Sequence, residues 1–178
     1  MSLKNKKNIF KEFLGYLIVA VIAALFAVTL RIFVIEPYIV PTPSMAPTLL
    51  VGDRVIVNKL EYKFRDISRG DIIALNSPVE NKFLVKRVIG MPGEELLLNN
   101  DGSIYINGDI LNESYIPEDS GFSYGNESYK LGADEYFVMG DNRNNSSDSR
   151  VFGAINISRI FGKVFFIYGP ISRIGRIN

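Results

Sequence analysis

The chain has 178 residues, a formal net charge of +1, and neither histidine nor cysteine. Without these two residue types it can form no disulfide, thiol nucleophile, His/Cys zinc site or Ser-His-Asp triad. The balanced charge, with no concentrated basic face, argues against a nucleic-acid partner. Any hydrolytic chemistry in this chain must therefore use a base other than histidine.

The first predicted element is a membrane-spanning helix. Residues 13–30 carry no charged side chain, and a helix of this length spans about 27 Å, close to the hydrocarbon thickness of a bilayer. We place the whole anchor at residues 13–35, after a basic segment at residues 1–12. A cleavable secretory signal is the alternative, but its apolar region is shorter, about 7 to 15 residues. The length therefore favours a permanent anchor.

The charges that flank this helix predict its orientation. The positive-inside rule places the more basic flank in the cytoplasm and residues 36–178 outside it. No later apolar stretch is long enough for a second span. The basic flank consists of Lys4, Lys6, Lys7 and Lys11, against Arg31 and Glu36 on the other side.

Residues 36–178 predict a mainly β fold, an antiparallel β-sheet domain with a small inserted β lobe. Short apolar segments alternate with Gly, Pro, Asn and Asp, and no long helical pattern follows the anchor. Asn107-Gly108 is typical of a type I′ hairpin turn. We interpret the acid-rich residues at about 94–135 as the inserted lobe. A hairpin extension whose charges keep it solvated would explain their acidic composition. Strands are predicted at 54–60, 71–77, 83–90, 103–106, 135–140 and 159–169.

A candidate nucleophile lies shortly after the helix, in the segment PTPSMAPT at residues 41–48. The Ser44 hydroxyl would need a group that removes its proton, which in this chain is a carboxylate or a neutral lysine. A serine before a short helical turn is also an ordinary N-cap. The segment alone leaves both roles open.

A lysine becomes neutral near pH 7 only when it is desolvated, so the candidate bases lie in apolar strands. Lys86, in FLVKRVIG, shares its predicted strand face with Leu84 and Val88. Lys163, in FGKVFFIY, has a comparable setting. Either side chain could instead extend its amine to water, and strand periodicity does not choose between them.

The segment GDNRNNSSDSR at residues 140–150 has no aliphatic side chain and predicts a loop. It does not fit an EF-hand calcium loop, because counting from Asp141 places Arg143 third, Ser146 sixth and Phe152 twelfth. An Asx-rich turn and a polar active-site loop both fit the pattern.

Together these segments resemble the type I signal peptidases, bacterial membrane-anchored Ser/Lys enzymes that remove signal peptides from exported preproteins. The resemblance extends from the helix to about Tyr168. Its motifs follow the family order, and they are PTPSMAPTL (41–49), GDRVIVNK (52–59), KRVIGMPGE (86–94) and GDNRNNSSDSR (140–150).

The resemblance implies that Ser44 is the nucleophile and that Lys86, rather than Lys163, is the general base. It implies an oxyanion hole formed by the Thr42 hydroxyl and the backbone N–H of Ser44. Many members of the family have Gly where this chain has Pro43. Proline has no N–H, but neither oxyanion donor is affected.

The resemblance also implies supporting roles in the 140–150 segment and beside the base. Ser146 would orient the lysine amine. The pairs Asp148 with Arg150, and Asp141 with Arg87, would support the site without taking part in the chemistry.

The function implied is that of a membrane-bound serine endopeptidase of the bacterial cell membrane, with signal-peptide-bearing preproteins and the lipid bilayer as its partners. It requires no cofactor and no metal, and the oligomeric state stays open. A self-cleaving repressor uses related Ser/Lys chemistry but gives no reason for an anchor. A non-enzymatic tethered β domain that binds exported partners is the remaining alternative.

Overall fold

The computed structural model describes residues 3–117 and 122–177, with side chains from Lys11 onward. The predicted basic residues at positions 4, 6 and 7 lie outside the described side chains, and residues 118–121 of the predicted insert are not described. A long helix, α1 (Leu3–Phe33), opens the chain. Its stretch Lys11–Phe33 has a mean hydropathy of 2.6, and none of its apolar window is buried. This helix is apolar and of membrane-spanning length.

The end of α1 is held by a lysine from the β domain. The Lys59 amine donates to the carbonyls of Arg31 and Ile32 at 3.3 and 3.2 Å and pairs with Glu36 at 2.7 Å. Lysine commonly stabilises the last carbonyls of a helix in this way. The helix ends at Phe33 and the first strand begins at Ile35, so the predicted anchor boundary at residue 35 already lies in the strand.

The rest of the described chain is mainly antiparallel β structure, as predicted. Two short helices, α2 (Glu61–Phe64) and α3 (Ser149–Phe152), accompany the strands. The strands are β1 (Ile35–Ile39), β2 (Arg54–Asn58), β3 (Ile72–Asn76), β4 (Phe83–Gly90), β5 (Glu95–Leu98), β6 (Ile104–Ile106), β7 (Asp109–Ile110), β8 (Glu127–Lys130), β9 (Glu135–Met139), β10 (Ile155–Asn156), β11 (Ile160–Gly169) and β12 (Gly175–Arg176).

The main sheet has the order β1-β2-β11-β3-β4-β9-β10, with β12 paired to β11. All six predicted strand segments are present, and Asn107 and Gly108 have φ of 51° and 92°, as the predicted turn requires. Sequence patterning missed β1, which contains Pro37. A proline cannot donate to a ladder but is tolerated at an edge, which is where β1 lies.

A second sheet, β7-β6-β5-β8, forms the inserted lobe. It is not a solvated extension. Leu96 and Ile104 are 1% exposed, and they pack in one cluster with Ile89 and Phe137 of the main sheet. The lobe and the main sheet therefore share a core, which fixes the lobe close to the end of β4.

Candidate active site

Ser44 lies in a short 3₁₀ helix, Pro43–Met45, that is anchored to the sheet by the buried Met45 side chain. The N-cap position belongs to Thr42, so the interpretation of Ser44 as an N-cap is wrong. Pro43 occupies the first helical position, where a backbone N–H has no intrahelical acceptor and its loss costs little. The proline therefore fits the site without removing a needed donor.

Lys86 lies in β4 opposite Ile73 of β3 and is only 2% exposed. Its amine donates to the Ser44 hydroxyl at 2.9 Å. Burial lowers the pKa of Lys86 from 10.5 to about 8, although the negative charges of Asp148 and Asp141 act in the opposite direction and raise it. A substantial fraction of this amine is therefore neutral near pH 8, next to the hydroxyl whose proton it would accept.

Lys163, the other candidate base, is held elsewhere. Its amine pairs with the Asp71 carboxylate at 2.7 Å, and its side chain is 25% exposed. The Lys163 amine is thus occupied by a carboxylate and not by a serine hydroxyl. The geometry thus separates two lysines that strand periodicity could not.

The Thr42 hydroxyl lies 3.3 Å from the Ser44 hydroxyl. The N–H of Ser44 lies in the first turn of the 3₁₀ helix, where backbone N–H groups have no intrahelical acceptor. A hydroxyl and an N–H on adjoining residues can both donate to a developing oxyanion.

The segment 140–150 packs against Pro43 and Ser44. The Asn142 N–H donates to the Ser44 carbonyl at 3.1 Å, and the Asn142 side chain donates to the Pro43 carbonyl at 3.2 Å. A side chain at Gly140 would place Cβ 2.3 Å from both the Ser44 carbonyl oxygen and the Ser146 Oγ. Only glycine permits this approach.

The prediction of a loop across 140–150 holds except for a 3₁₀ turn at Arg143–Asn145 and for the end of the segment. Ser149 and Arg150 lie in α3, and the Asp148 side chain caps that helix by accepting from the Arg150 N–H. An aspartate N-cap followed by a helical turn explains why polar residues begin a helix here.

Asp148 and Arg150 form an ion pair at 2.8 Å, and Asp148 also accepts from the Gly140 N–H at 3.0 Å. Burial alone would raise the pKa of Asp148, but the hydrogen bond and charge of Arg150 and the Gly140 N–H hold it below its ordinary value. Asp148 thus stays a carboxylate and contributes negative charge near Lys86.

Arg87 and Asp141 form a second pair, with two hydrogen bonds of 2.9 and 2.6 Å. Their side chains are 3% and 0% exposed. The Thr48 hydroxyl donates to the same carboxylate at 2.5 Å. This bidentate, fully buried pair joins β4 to the 140–150 segment and to the chain just after Ser44.

The Ser146 hydroxyl is buried against Gly140 and, among the described residues, has no hydrogen-bond partner of acceptable geometry. Its position near the Asp148 carboxylate still favours the charged form of that group and so lowers its pKa. No hydrogen bond joins Ser146 to the lysine amine in this geometry, so its predicted orienting role stays a prediction.

Sequence reasoning missed three residues next to this site. The first is Arg143, which the sequence pattern presents only as a misfit in a calcium loop. Its partner Glu113 and the neighbouring Tyr115 come from the inserted lobe. Nothing in the local pattern of the lobe connects it to residues so far along the chain.

A groove of about 280 Å³ runs beside Ser44 and Lys86. Residues 83–86 of β4 pair with β3 on one side, whereas β9 pairs with β4 only from Arg87 onward. The other edge of residues 83–86 therefore faces the groove. The groove is lined by Tyr38, Val40, Pro41, Thr42, Ser44, Met45, Lys82, Phe83, Leu84, Val85, Lys86, Asn145 and Ser147.

The described part of the chain contains no group of three His, Cys, Asp or Glu residues that could hold a metal ion. A serine hydroxyl hydrogen-bonded to a buried lysine, beside an open strand edge, is the arrangement expected of a serine endopeptidase. The family model for signal peptidases, peptidase S26, matches residues 13–169. The chain belongs to this family.

Individual proteins agree with the family match. A probable signal peptidase I-2 of Synechocystis is 38% identical over 164 residues, covering 89% of this chain and 74% of that protein. Signal peptidase I P of Bacillus subtilis subsp. natto is 36% identical over 180 residues, covering 96% and 95%. A signal peptidase I structure from Enterococcus faecalis is 32% identical, covers 56% of this chain and 97% of that one, and has a TM-score of 0.49. Family membership rests on the sequence matches.

Proposed function

We propose that this protein cleaves signal peptides from exported preproteins, with Ser44 as nucleophile and Lys86 as general base. The observation that carries the proposal is the 2.9 Å contact between a buried lysine amine and a serine hydroxyl. The match to signal peptidases supports the choice of substrate. The non-enzymatic alternative gives no reason to bury a lysine at a serine.

In the first half of the reaction the Ser44 oxygen attacks the scissile carbonyl carbon as its proton passes to neutral Lys86. The Thr42 hydroxyl and the Ser44 N–H stabilise the oxyanion, and one such donor is typically worth about 3 kcal/mol. Protonated Lys86 then gives its proton to the departing amine, which is the new N-terminus of the mature protein. The acyl group remains as an ester on Ser44.

In the second half a water molecule attacks the ester while Lys86 accepts its proton. The C–O bond to Ser44 breaks, the serine oxygen takes the proton back, and the signal peptide leaves with a free carboxylate. The positions of Asp148 and Asp141 favour the lysinium that forms in each half. Ser146, Arg150 and Arg87 hold these groups in place in this proposal.

The substrate would bind as an extended strand against the free edge of residues 83–86, opposite the 40–44 segment. Such β-strand addition gives main-chain hydrogen bonds, while pockets for alternate side chains give specificity. The limited volume beside Ser44 favours small side chains next to the scissile bond.

The apolar helix would anchor the enzyme in the lipid bilayer with residues 36–178 on the extracytoplasmic side. The lysine-rich N-terminal flank supports this orientation. Anchoring confines enzyme and signal peptide to one surface and raises their effective concentration. Protease protection of intact spheroplasts, with an antibody to each end of the chain, tests the orientation.

The experiment for the proposed activity uses the full chain in detergent and a labelled preprotein. Wild-type enzyme is expected to release the mature protein with a single new N-terminus. Ser44→Ala and Lys86→Ala are expected to lose at least 1,000-fold in kcat, as removal of a nucleophile or its base does in serine peptidases. Undiminished processing by either variant would exclude this mechanism.

A further inference from the structure

Within the described residues, the inserted lobe reaches the 140–150 segment through residues 111–117, which we name the insert arm, and through Phe122 and Tyr124. The arm follows β7 and ends at the last described residue before 118. Its side chains Glu113 and Tyr115 contact the two arginines that hold the 140–150 segment. The lobe thus has a direct contact with the catalytic machinery, although its sheet lies away from Ser44.

The first contact is an ion pair between Glu113 and Arg143. The guanidinium donates to both carboxylate oxygens, one of them at 2.9 Å, and their side chains are 10% and 1% exposed. The Tyr124 hydroxyl is also bonded to this guanidinium, at 2.5 Å. Because a buried charge is costly without a partner, Arg143 depends on Glu113 for its position.

Arg143 in turn holds the peptide of Gly140. Its Nε donates to the Gly140 carbonyl at 3.0 Å. Gly140 is the residue whose α-carbon faces the Ser44 carbonyl and the Ser146 hydroxyl so closely that no side chain fits. A shift of Arg143 would therefore move the peptide that sets the spacing between Ser44 and Ser146.

The second contact of the insert arm is made by Tyr115 and reaches Arg87. The Tyr115 hydroxyl donates to Glu113, and the Tyr115 ring lies 3.8 Å from the guanidinium carbon of Arg87. Arg87 in turn forms the buried bidentate pair with Asp141. The arm thus contacts the supports of two successive residues, Gly140 and Asp141.

We propose that Glu113 is a positioning residue for the active site: through Arg143 it fixes Gly140 and hence the spacing of Ser44 and Ser146. The proposal rests on the proposed function, since it assigns the acidic lobe a role in the same reaction. It places the effect on the chemical step rather than on substrate binding, because the arm does not line the groove beside Ser44.

The test measures kcat and KM for preprotein cleavage by the full-length enzyme in detergent, with the folded fraction and Tm of each variant taken from circular dichroism. Glu113→Gln keeps the shape and removes the charge. We expect a fall in kcat of tenfold or more per folded molecule, with KM changed by less than threefold. Glu113→Asp keeps the charge on a shorter side chain and is expected to recover part of the loss.

Asp109→Asn is the matched control, because it removes one exposed carboxylate from the same lobe. It is expected to keep kcat within twofold of wild type. The double variant Glu113→Gln/Arg143→Gln is expected to lose less than the product of the two single losses, because both residues act through one contact.

A kcat for folded Glu113→Gln within twofold of wild type, or losses that multiply in the double variant, would overturn the proposal. If Glu113→Gln does not fold, Glu113→Asp decides: lowered kcat with unchanged KM supports positioning, and wild-type kcat overturns it. Ser44→Ala in the same assay keeps the two hypotheses apart. Cleavage that survives in Ser44→Ala refutes the proposed function, whereas an unaffected Glu113→Gln refutes only the role of the arm.

Discussion

Gly140→Ala is the smallest change expected to disable this site. The new Cβ would lie 2.3 Å from the Ser44 carbonyl oxygen and from the Ser146 Oγ. Ordinary van der Waals contact needs 3.4 Å or more, so the nucleophile segment and the 140–150 segment must separate by about 1 Å. A misplacement of about 1 Å can cost about 100-fold in rate, equivalent to about 2.7 kcal/mol of transition-state stabilisation.

The assay is single-turnover cleavage of a preprotein at saturating enzyme, with thermal unfolding measured in parallel. Gly175→Ala is the matched control, because it makes the same chemical change where nothing lies within 4 Å of the new Cβ. We expect wild-type cleavage from the control and about 100-fold slower cleavage from Gly140→Ala. A rate for Gly140→Ala within twofold of the control would refute the claim that this contact sets the active-site spacing.

Three further predictions concern Thr42, Lys163 and Asp141. Thr42→Val, which keeps the shape and removes the hydroxyl, should lower kcat about 100-fold with little change in KM, as steady-state kinetics can show. Lys163→Met should cleave at a near-normal rate, because that amine is bound to Asp71; loss of cleavage by the folded variant would reopen the choice of base. Asp141→Asn should lower the free energy of unfolding by about 3–5 kcal/mol in urea titration, because it leaves Arg87 buried without its counter-charge; a loss under 1 kcal/mol would contradict this.

Much of the fold follows from local patterns. The apolar helix, six strand segments and the Asn107-Gly108 turn are each set by a short stretch of residues. β1 was missed because Pro37 lowers strand propensity, and only its place at the sheet edge makes the proline acceptable. The charges of the insert indicate a solvated extension, whereas its burial depends on Ile89 and Phe137, which lie outside it.

The candidate site likewise combines residues that local patterns predict with contacts that they do not. Ser44 and Lys86 could be nominated because a missing histidine leaves few bases, but periodicity gave Lys163 the same standing. The choice depends on which amine a carboxylate holds, and Asp71 lies 92 residues from Lys163. The contact between Glu113 and Arg143 is equally non-local. Pairings of this kind arise from the packing of the lobe and not from any segment.

The protonation of Lys86 tests the central claim most directly, because only a neutral amine can accept the Ser44 proton. The measurement is a titration of the Lys86 ¹⁵Nζ resonance in the full-length enzyme, set beside the pH dependence of kcat/KM, which reports the ionisation of the free enzyme. Burial places the pKa of Lys86 at about 8, against an ordinary 10.5. Below that value the amine is protonated, so kcat/KM should fall about tenfold for each pH unit and should level off above it. We expect both midpoints at about 8; a Lys86 amine that stays charged up to pH 10 while kcat/KM has already levelled off would contradict the mechanism.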